Sequence, residues 1–118
     1  MTVLLVDDSL VVLFVFTSFL KRSGMEVVTA LNGAEALLCL HAELPDVVVT
    51  DLDMPVMGGV ELCRTLRAQA RTKHLPVVAV TSGNAGDDAL KAGCNAVLYK
   101  PLESAQLVET IHRVAARC

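Results

Sequence analysis

Five short runs rich in valine and leucine recur along the chain, and each is followed by a longer stretch in which apolar residues return at helical spacing. The runs are Val3 to Val6, Glu26 to Ala30, Val47 to Thr50, Val77 to Val80 and Ala96 to Tyr99. A strand with one face in water alternates apolar and polar residues, whereas these runs are nearly continuous, so both faces of their sheet must be covered. Strand and helix in strict alternation is the pattern that a parallel sheet with crossover helices requires. Strand then helix, five times over, therefore predicts an α/β fold built on a doubly wound, five-stranded parallel sheet. Composition agrees: aromatics are only 3% of the residues against 53% hydrophobic overall, leaving Val, Leu and Ala to fill the core.

The helices have readable ends. The first is expected from about Ser9 to Ser23, with Gly24 able to take the left-handed conformation that closes a helix. Asn32 followed by Glu35 is a variant of the capping box and opens the second, whose Leu37, Leu38 and Leu40 supply apolar contact before Pro45 stops the chain. The third is expected over Gly58 to Arg67, a short fourth over Gly86 to Ala92, and the fifth over Ser104 to Arg117. No repeat, low-complexity tract or linker interrupts the pattern, so residues 1–118 are expected to form one domain.

Several function classes fall away on composition. A net charge of -3 provides no basic face, so no direct contact with nucleic acid is expected. Cys39, Cys63, Cys94 and Cys118 form no CxxC pair, which fits neither a disulfide framework nor a zinc site; they are expected to be reduced, in the cytoplasm. The most apolar stretch, Leu10 to Leu20, is too short to span a bilayer and follows an acidic pair where a signal peptide would carry basic residues. A soluble chain without membrane contact is expected.

In an open parallel sheet, ligands bind beyond the carboxyl ends of the strands. The first strand ends in Asp7-Asp8, the third in Asp51, the fourth in Thr81-Ser82 and the fifth in Lys100-Pro101. Singly, each has an ordinary explanation: Asp caps helices, Thr ends strands and Lys is solvated. Together they put the chemically capable residues on one edge. Three crowded carboxylates repel one another unless a cation holds them, and oxygen-only ligands select a hard divalent ion, Mg²⁺ or Mn²⁺, over zinc. A carboxylate can attack phosphorus to form an aspartyl phosphate when an ion, an ammonium group and a hydroxyl offset the accumulating charge.

The segments VLLVDDS, VVVTDLDMPVMGG, PVVAVTSG and YKPL resemble the receiver domain of bacterial two-component response regulators, and the resemblance covers essentially the whole chain. It implies a flavodoxin-like (βα)5 sheet with strand order 2-1-3-4-5, as in the chemotaxis receiver. It also implies a signalling switch that assists its own phosphorylation and dephosphorylation rather than a turnover enzyme. The donor would be phosphohistidine on a histidine kinase or a histidine phosphotransfer protein. Carried onto this chain, the resemblance makes Asp51 the phosphoryl acceptor. Asp8 and Asp51 would bind the metal, with Asp7 acting partly through water and the main-chain carbonyl of Asp53 completing the set. Thr81, with Ser82 beside it, would bond the phosphoryl group and report its presence; Lys100 would pair with that group, and Lys100–Pro101 would be cis. Met54-Pro55 and Gly58-Gly59 would form the turn behind the acceptor.

Two features depart from the family. Receivers commonly carry Tyr or Phe three residues before the lysine, but Val97 stands there, and Tyr99 shares its face by strand alternation. Thr81 and Lys100 also lie a helical turn closer in sequence than the resemblance implies, and Gly83, Gly86 and Asp87-Asp88 leave the fourth helix mobile or weakly formed. Output through another face would follow. DLD also resembles the DxD motif of haloacid-dehalogenase phosphatases, yet that motif follows a first strand and this one the third. A receiver fold regulated without phosphate is opposed by the complete acid set, and a nucleotide-binding module would need a glycine-rich loop after the first strand.

The first helix carries two apolar faces where an ordinary surface helix has one. Val12, Val15, Phe16, Phe19 and Leu20 form the stripe expected to pack on the sheet, which puts Leu10, Leu13, Phe14 and Thr17 on the opposite side. Leu10, Leu13 and Phe14 are accordingly expected to be exposed and to form the centre of a partner-docking face, with a homodimer as the other cover for that stripe.

Overall fold

The computed structural model describes residues 1–116. Its elements are β1 (Thr2–Val6), α1 (Leu10–Arg22), β2 (Glu26–Ala30), α2 (Gly33–Ala42), β3 (Val47–Asp51), α3 (Gly59–Arg67), β4 (Val77–Thr81), α4 (Gly86–Ala92), β5 (Ala96–Tyr99) and α5 (Ser104–Ala115). The strands form one parallel sheet in the order β2-β1-β3-β4-β5. Winding reverses between β1 and β3, which opens a crevice at their carboxyl ends.

Strand alternation sorts the core into two layers. Val3, Leu5, Val47, Val49, Val78 and Val80 face Leu20 of α1 and Leu107, Ile111 and Val114 of α5. Leu4, Val6, Val48, Val77 and Ala79 face Ala36, Leu40, Leu62, Leu66 and Ala89 of α2, α3 and α4. Both sheet faces are thus covered, as the unbroken apolar runs demand. Strands β1, β3 and β4 each gain one residue over the sequence expectation, and for β3 and β4 these are Asp51 and Thr81. Both side chains are therefore held by the ladder and not by a loop: Asp51 pairs with Val80, and Thr81 with Tyr99.

The caps follow the expected chemistry with one adjustment. Ser9 accepts from the Val12 N–H at 3.3 Å, and Asn32 from the Glu35 N–H at 2.9 Å. The Glu35 carboxylate reaches past the cap to the Leu31 N–H, at 3.2 Å. Gly24 closes α1 at φ +85°. Helix α4 has only seven residues, but Gly93 at φ +108° ends it cleanly. The expected end of α5 at Arg117, like Cys118, lies outside the described residues; Cys39, Cys63 and Cys94 are free thiols. No helix of the described residues is long and apolar enough to cross a membrane.

Helix α1 corrects one expectation. Leu13 is not exposed: it is 7% accessible and packs on the sheet with Leu20 and Phe16, while Val15, expected inside, is 44% accessible. A helix with two apolar faces does not say which of them turns inward, so periodicity alone could not set its rotation. The sheet and α5 decide, and the exposed apolar residues are Leu10, Val11, Phe14 and Val15.

Candidate functional site

Four strand ends meet at the carboxyl edge of the sheet. The Asp7 N–H continues the β1 ladder by donating to the Ala30 carbonyl at 3.1 Å, which drives its carboxylate into the crevice. There Oδ1 accepts the Ser9 N–H at 2.9 Å and Oδ2 meets the Lys100 ammonium at 3.3 Å. Asp8, the next residue, is exposed. Asp51 at the end of β3 is 8% accessible; its Oδ1 accepts the Leu52 N–H at 2.8 Å and lies 3.9 Å from Lys100 Nζ. Each of Asp7, Asp8 and Asp51 offers a carboxylate oxygen within 4.8 Å of the others, so the cluster could hold a metal ion. Burial, and next the charge of Asp7, push the Asp51 acid above the usual aspartate range; Lys100 and the backbone N–H groups of Asp53 and Leu52 pull the other way.

Behind the acceptor the chain turns without room to spare. A Cβ on Gly59 would overlap the Asp51 carbonyl oxygen, and one on Gly58 would lie 2.8 Å from that of Leu52. The Met57 N–H donates to the Pro55 carbonyl at 2.8 Å across Val56, which sits at φ +69°. This γ-turn holds an exposed β-branched residue in a strained conformation that costs on the order of 1–3 kcal/mol, and such strain concentrates at functional sites.

Thr81 is fully buried, and its Oγ1 accepts the Gly83 N–H at 3.0 Å. Ser82 is exposed. The Asp53 carboxylate stands at the mouth, where a Cβ on Gly83 would lie 3.6 Å from its Oδ2. The Lys100–Pro101 bond is cis. Val97 packs against the α2–α3–α4 layer, and Tyr99 on the same face brings its hydroxyl onto Gly86.

Asp7, Asp8, Asp51, Thr81 and Lys100 are thus brought to one edge, and Asp53 borders it. Sequence reasoning missed the backbone donors of Ser9, Leu52 and Gly83, for which no residue type is a signal because every non-proline residue carries an N–H. It also missed Gly86 as the seat of Tyr99.

The model of the response regulator receiver domain matches residues 3–112. Protein PilH of Pseudomonas aeruginosa is 33% identical over 97% of both chains. A Chloroflexus aurantiacus protein described as a response regulator has a crystal structure that superposes with a TM-score of 0.95, at 35% identity over 98% of each chain. The receiver domain of a sensor histidine kinase from Pseudomonas aeruginosa, crystallised with magnesium coordinated in its active site cleft, superposes at 0.91, with 28% identity over 98% of this chain and 97% of that one. The chain belongs to the response regulator receiver domains, the phosphoryl-accepting switches of two-component signalling.

Proposed function

We propose that Asp51 accepts a phosphoryl group from a phosphohistidine on a histidine kinase or histidine phosphotransfer protein. The observation that carries this reading is a carboxylate buried at the end of a central strand, facing both a lysine ammonium and two further carboxylates. Asp7, Asp8, Asp51 and the main-chain carbonyl of Asp53 are the ligands we assign to Mg²⁺, with Mn²⁺ as the alternative. An all-oxygen donor set with one exposed member suits an ion that keeps several waters. The magnesium in the related Pseudomonas receiver supports the same assignment. When bound, the ion supplies positive charge beside the acceptor and the incoming phosphoryl oxygens.

In the transfer, an Asp51 oxygen forms the new P–O bond as the P–N bond to the donor imidazole breaks, and the ring nitrogen keeps the electron pair. The Leu52 N–H holds the carboxylate in place. Lys100 faces the oxygens that gain charge. Thr81, with one lone pair taken by the Gly83 N–H, retains its own O–H to donate to a phosphoryl oxygen. The same groups, with a water in place of the donor, would let the chain assist its own dephosphorylation. Acetyl phosphate with Mg²⁺ is expected to add one phosphoryl group by intact mass, and chelation or Asp51→Asn to prevent it. An undiminished adduct in Asp51→Asn would place the acceptor elsewhere.

The donor's docking face is assigned to Leu10, Val11 and Phe14, which are exposed on the first turns of α1, directly after Ser9 and beside the acids. Exposed apolar patches of this kind mark binding sites, and large side chains dominate their affinity. Phe14→Ala is expected to slow transfer from the phosphorylated partner while leaving the acetyl phosphate reaction unchanged. Equal slowing with both donors would reject the docking role, and a shift in oligomeric state alone would assign the patch to a homodimer.

A further inference from the structure

We propose that Cys63 and Cys94 are a redox pair, which a hydroperoxide converts from two neighbouring thiols to a disulfide that fastens α3 to the turn between α4 and β5. Neither residue belongs to the acid cluster, and the inference stands apart from which aspartate accepts phosphate. The two cysteines come together from distant parts of the chain. Cys63 lies in the middle of α3, buried beside Leu62 and Leu66. Cys94 follows Gly93, whose left-handed backbone ends α4 and sends the chain toward β5. The Cys63 S–H reaches the Ala92 carbonyl at 3.5 Å, and the two thiols are hydrogen-bonded to each other. Both lie in one packed cluster, at 0% and 6% accessibility. A single buried cysteine is an inert small hydrophobe, but two in contact can each complete the oxidation of the other.

The contact also divides their roles. The bond from Cys94 pulls the Cys63 thiol below the usual cysteine range, with burial opposing and Arg67 assisting, while the same bond and burial push Cys94 up. Cys63 is therefore the sulfur that attacks first. Its thiolate takes one oxygen of hydrogen peroxide as the O–O bond breaks, and the departing hydroxide leaves as water with the proton that Cys63 gave up. The Cys94 sulfur then attacks the Cys63 sulfenic acid: the S–S bond forms, the S–O bond breaks, and the Cys94 proton leaves with the second hydroxide as water. Two thiols lose two electrons and one peroxide becomes two waters. Access is gated by the end of α4. The Gly93 N–H donates to the Leu90 carbonyl and the Cys94 N–H to that of Ala89, both at 3.0 Å, while Arg67 holds the Gly93 carbonyl at 3.0 and 2.9 Å. Helix α4 has only seven residues and no side-chain cap at its start, so local opening there admits a molecule as small as peroxide. Once the sulfurs are joined, that end can no longer lift.

The test is hydrogen peroxide added to the folded full chain, followed by intact mass and peptide mapping without reductant and by amide hydrogen exchange. Wild type is expected to lose the mass of two hydrogens, to yield a peptide joining Cys63 to Cys94, and to exchange more slowly at the Gly93 and Cys94 amides. Dithiothreitol is expected to reverse all three. Cys63→Ala and Cys94→Ala are each expected to lack the joined peptide and to keep the exchange rates they show before peroxide. A wild-type chain that stays reduced, that gains oxygen at either sulfur without joining them, or that joins other cysteines instead overturns the proposal. A Cys63–Cys94 link that leaves the exchange of Gly93 and Cys94 unchanged overturns the fastening of α4. Should an alanine variant fail to fold, the wild-type peptide map and exchange rates decide alone.

Discussion

Lys100→Met is expected to slow phosphorylation by acetyl phosphate about a hundred- to a thousandfold, the usual loss when one preorganised charge-stabilising donor is removed from a site. The ammonium lies 3.3 Å from an Asp7 oxygen and 3.9 Å from an Asp51 oxygen, in a crevice where Asp51 is nearly shielded from water. Shielding strengthens its attraction to the charge that gathers on the phosphoryl oxygens. Methionine keeps an unbranched apolar stem, one atom shorter, without the charge. A second effect runs in the opposite direction: without the resident cation, the acids hold Mg²⁺ more tightly, visible as a larger rise in melting temperature on adding the ion. Slower transfer with stronger Mg²⁺ binding is a signature that general misfolding does not produce. A wild-type rate in Lys100→Met would remove the ammonium from the chemistry.

The strand bodies were legible because a sheet covered on both sides leaves no polar position inside a run such as Val47 to Val49. The strand ends were less so. Asp51 and Thr81 are polar and fall just past the apolar runs, yet ladder pairing with Val80 and Tyr99 keeps them in the sheet, and this fixes their direction better than a loop would. The strand order came from the family resemblance, since nothing in the apolar runs says which strand lies beside which. Leu13 was misplaced because α1 carries two apolar faces and only its neighbours choose the inward one. The brevity of α4 was readable, but its anchoring was not. The Arg67 guanidinium reaches the Gly93 carbonyl at 3.0 Å and Asn95 Oδ1 at 3.0 Å, and Ala89 and Ala92 are buried beneath. Gly86 carried no signal either, because a helical glycine reads as a weak helix former until a ring is found resting on it.

Excess Mg²⁺ is expected to stabilise the folded chain, by about 2.7 kcal/mol at a hundredfold excess over its Kd, because the unfolded chain does not gather Asp7, Asp8 and Asp51. Asp8→Ala separates the ion's contribution from the cluster's own energetics. Asp8 is exposed, so its loss alters the metal-free protein little, yet it should remove most of the Mg²⁺ gain. Asp51→Asn should change sign with the metal. Without Mg²⁺ it stabilises, since burial and the charge of Asp7 raise the Asp51 acid in the folded state. A raised acid means that ionisation costs stability. That cost is absent below about pH 3.9, the unfolded aspartate value, grows as pH rises toward the folded value, and is complete above it. The asparagine variant should therefore be the more stable protein at neutral pH in chelator, and its advantage should shrink as pH falls toward the unfolded value. With excess Mg²⁺ the order reverses, because the carboxylate is then a ligand and the amide a poor one. Melting curves of the three proteins, with and without Mg²⁺, decide it. An equal Mg²⁺ response in wild type and Asp8→Ala would place the ion away from this cluster, and an asparagine variant less stable in chelator would show that Lys100 already offsets the acceptor's charge.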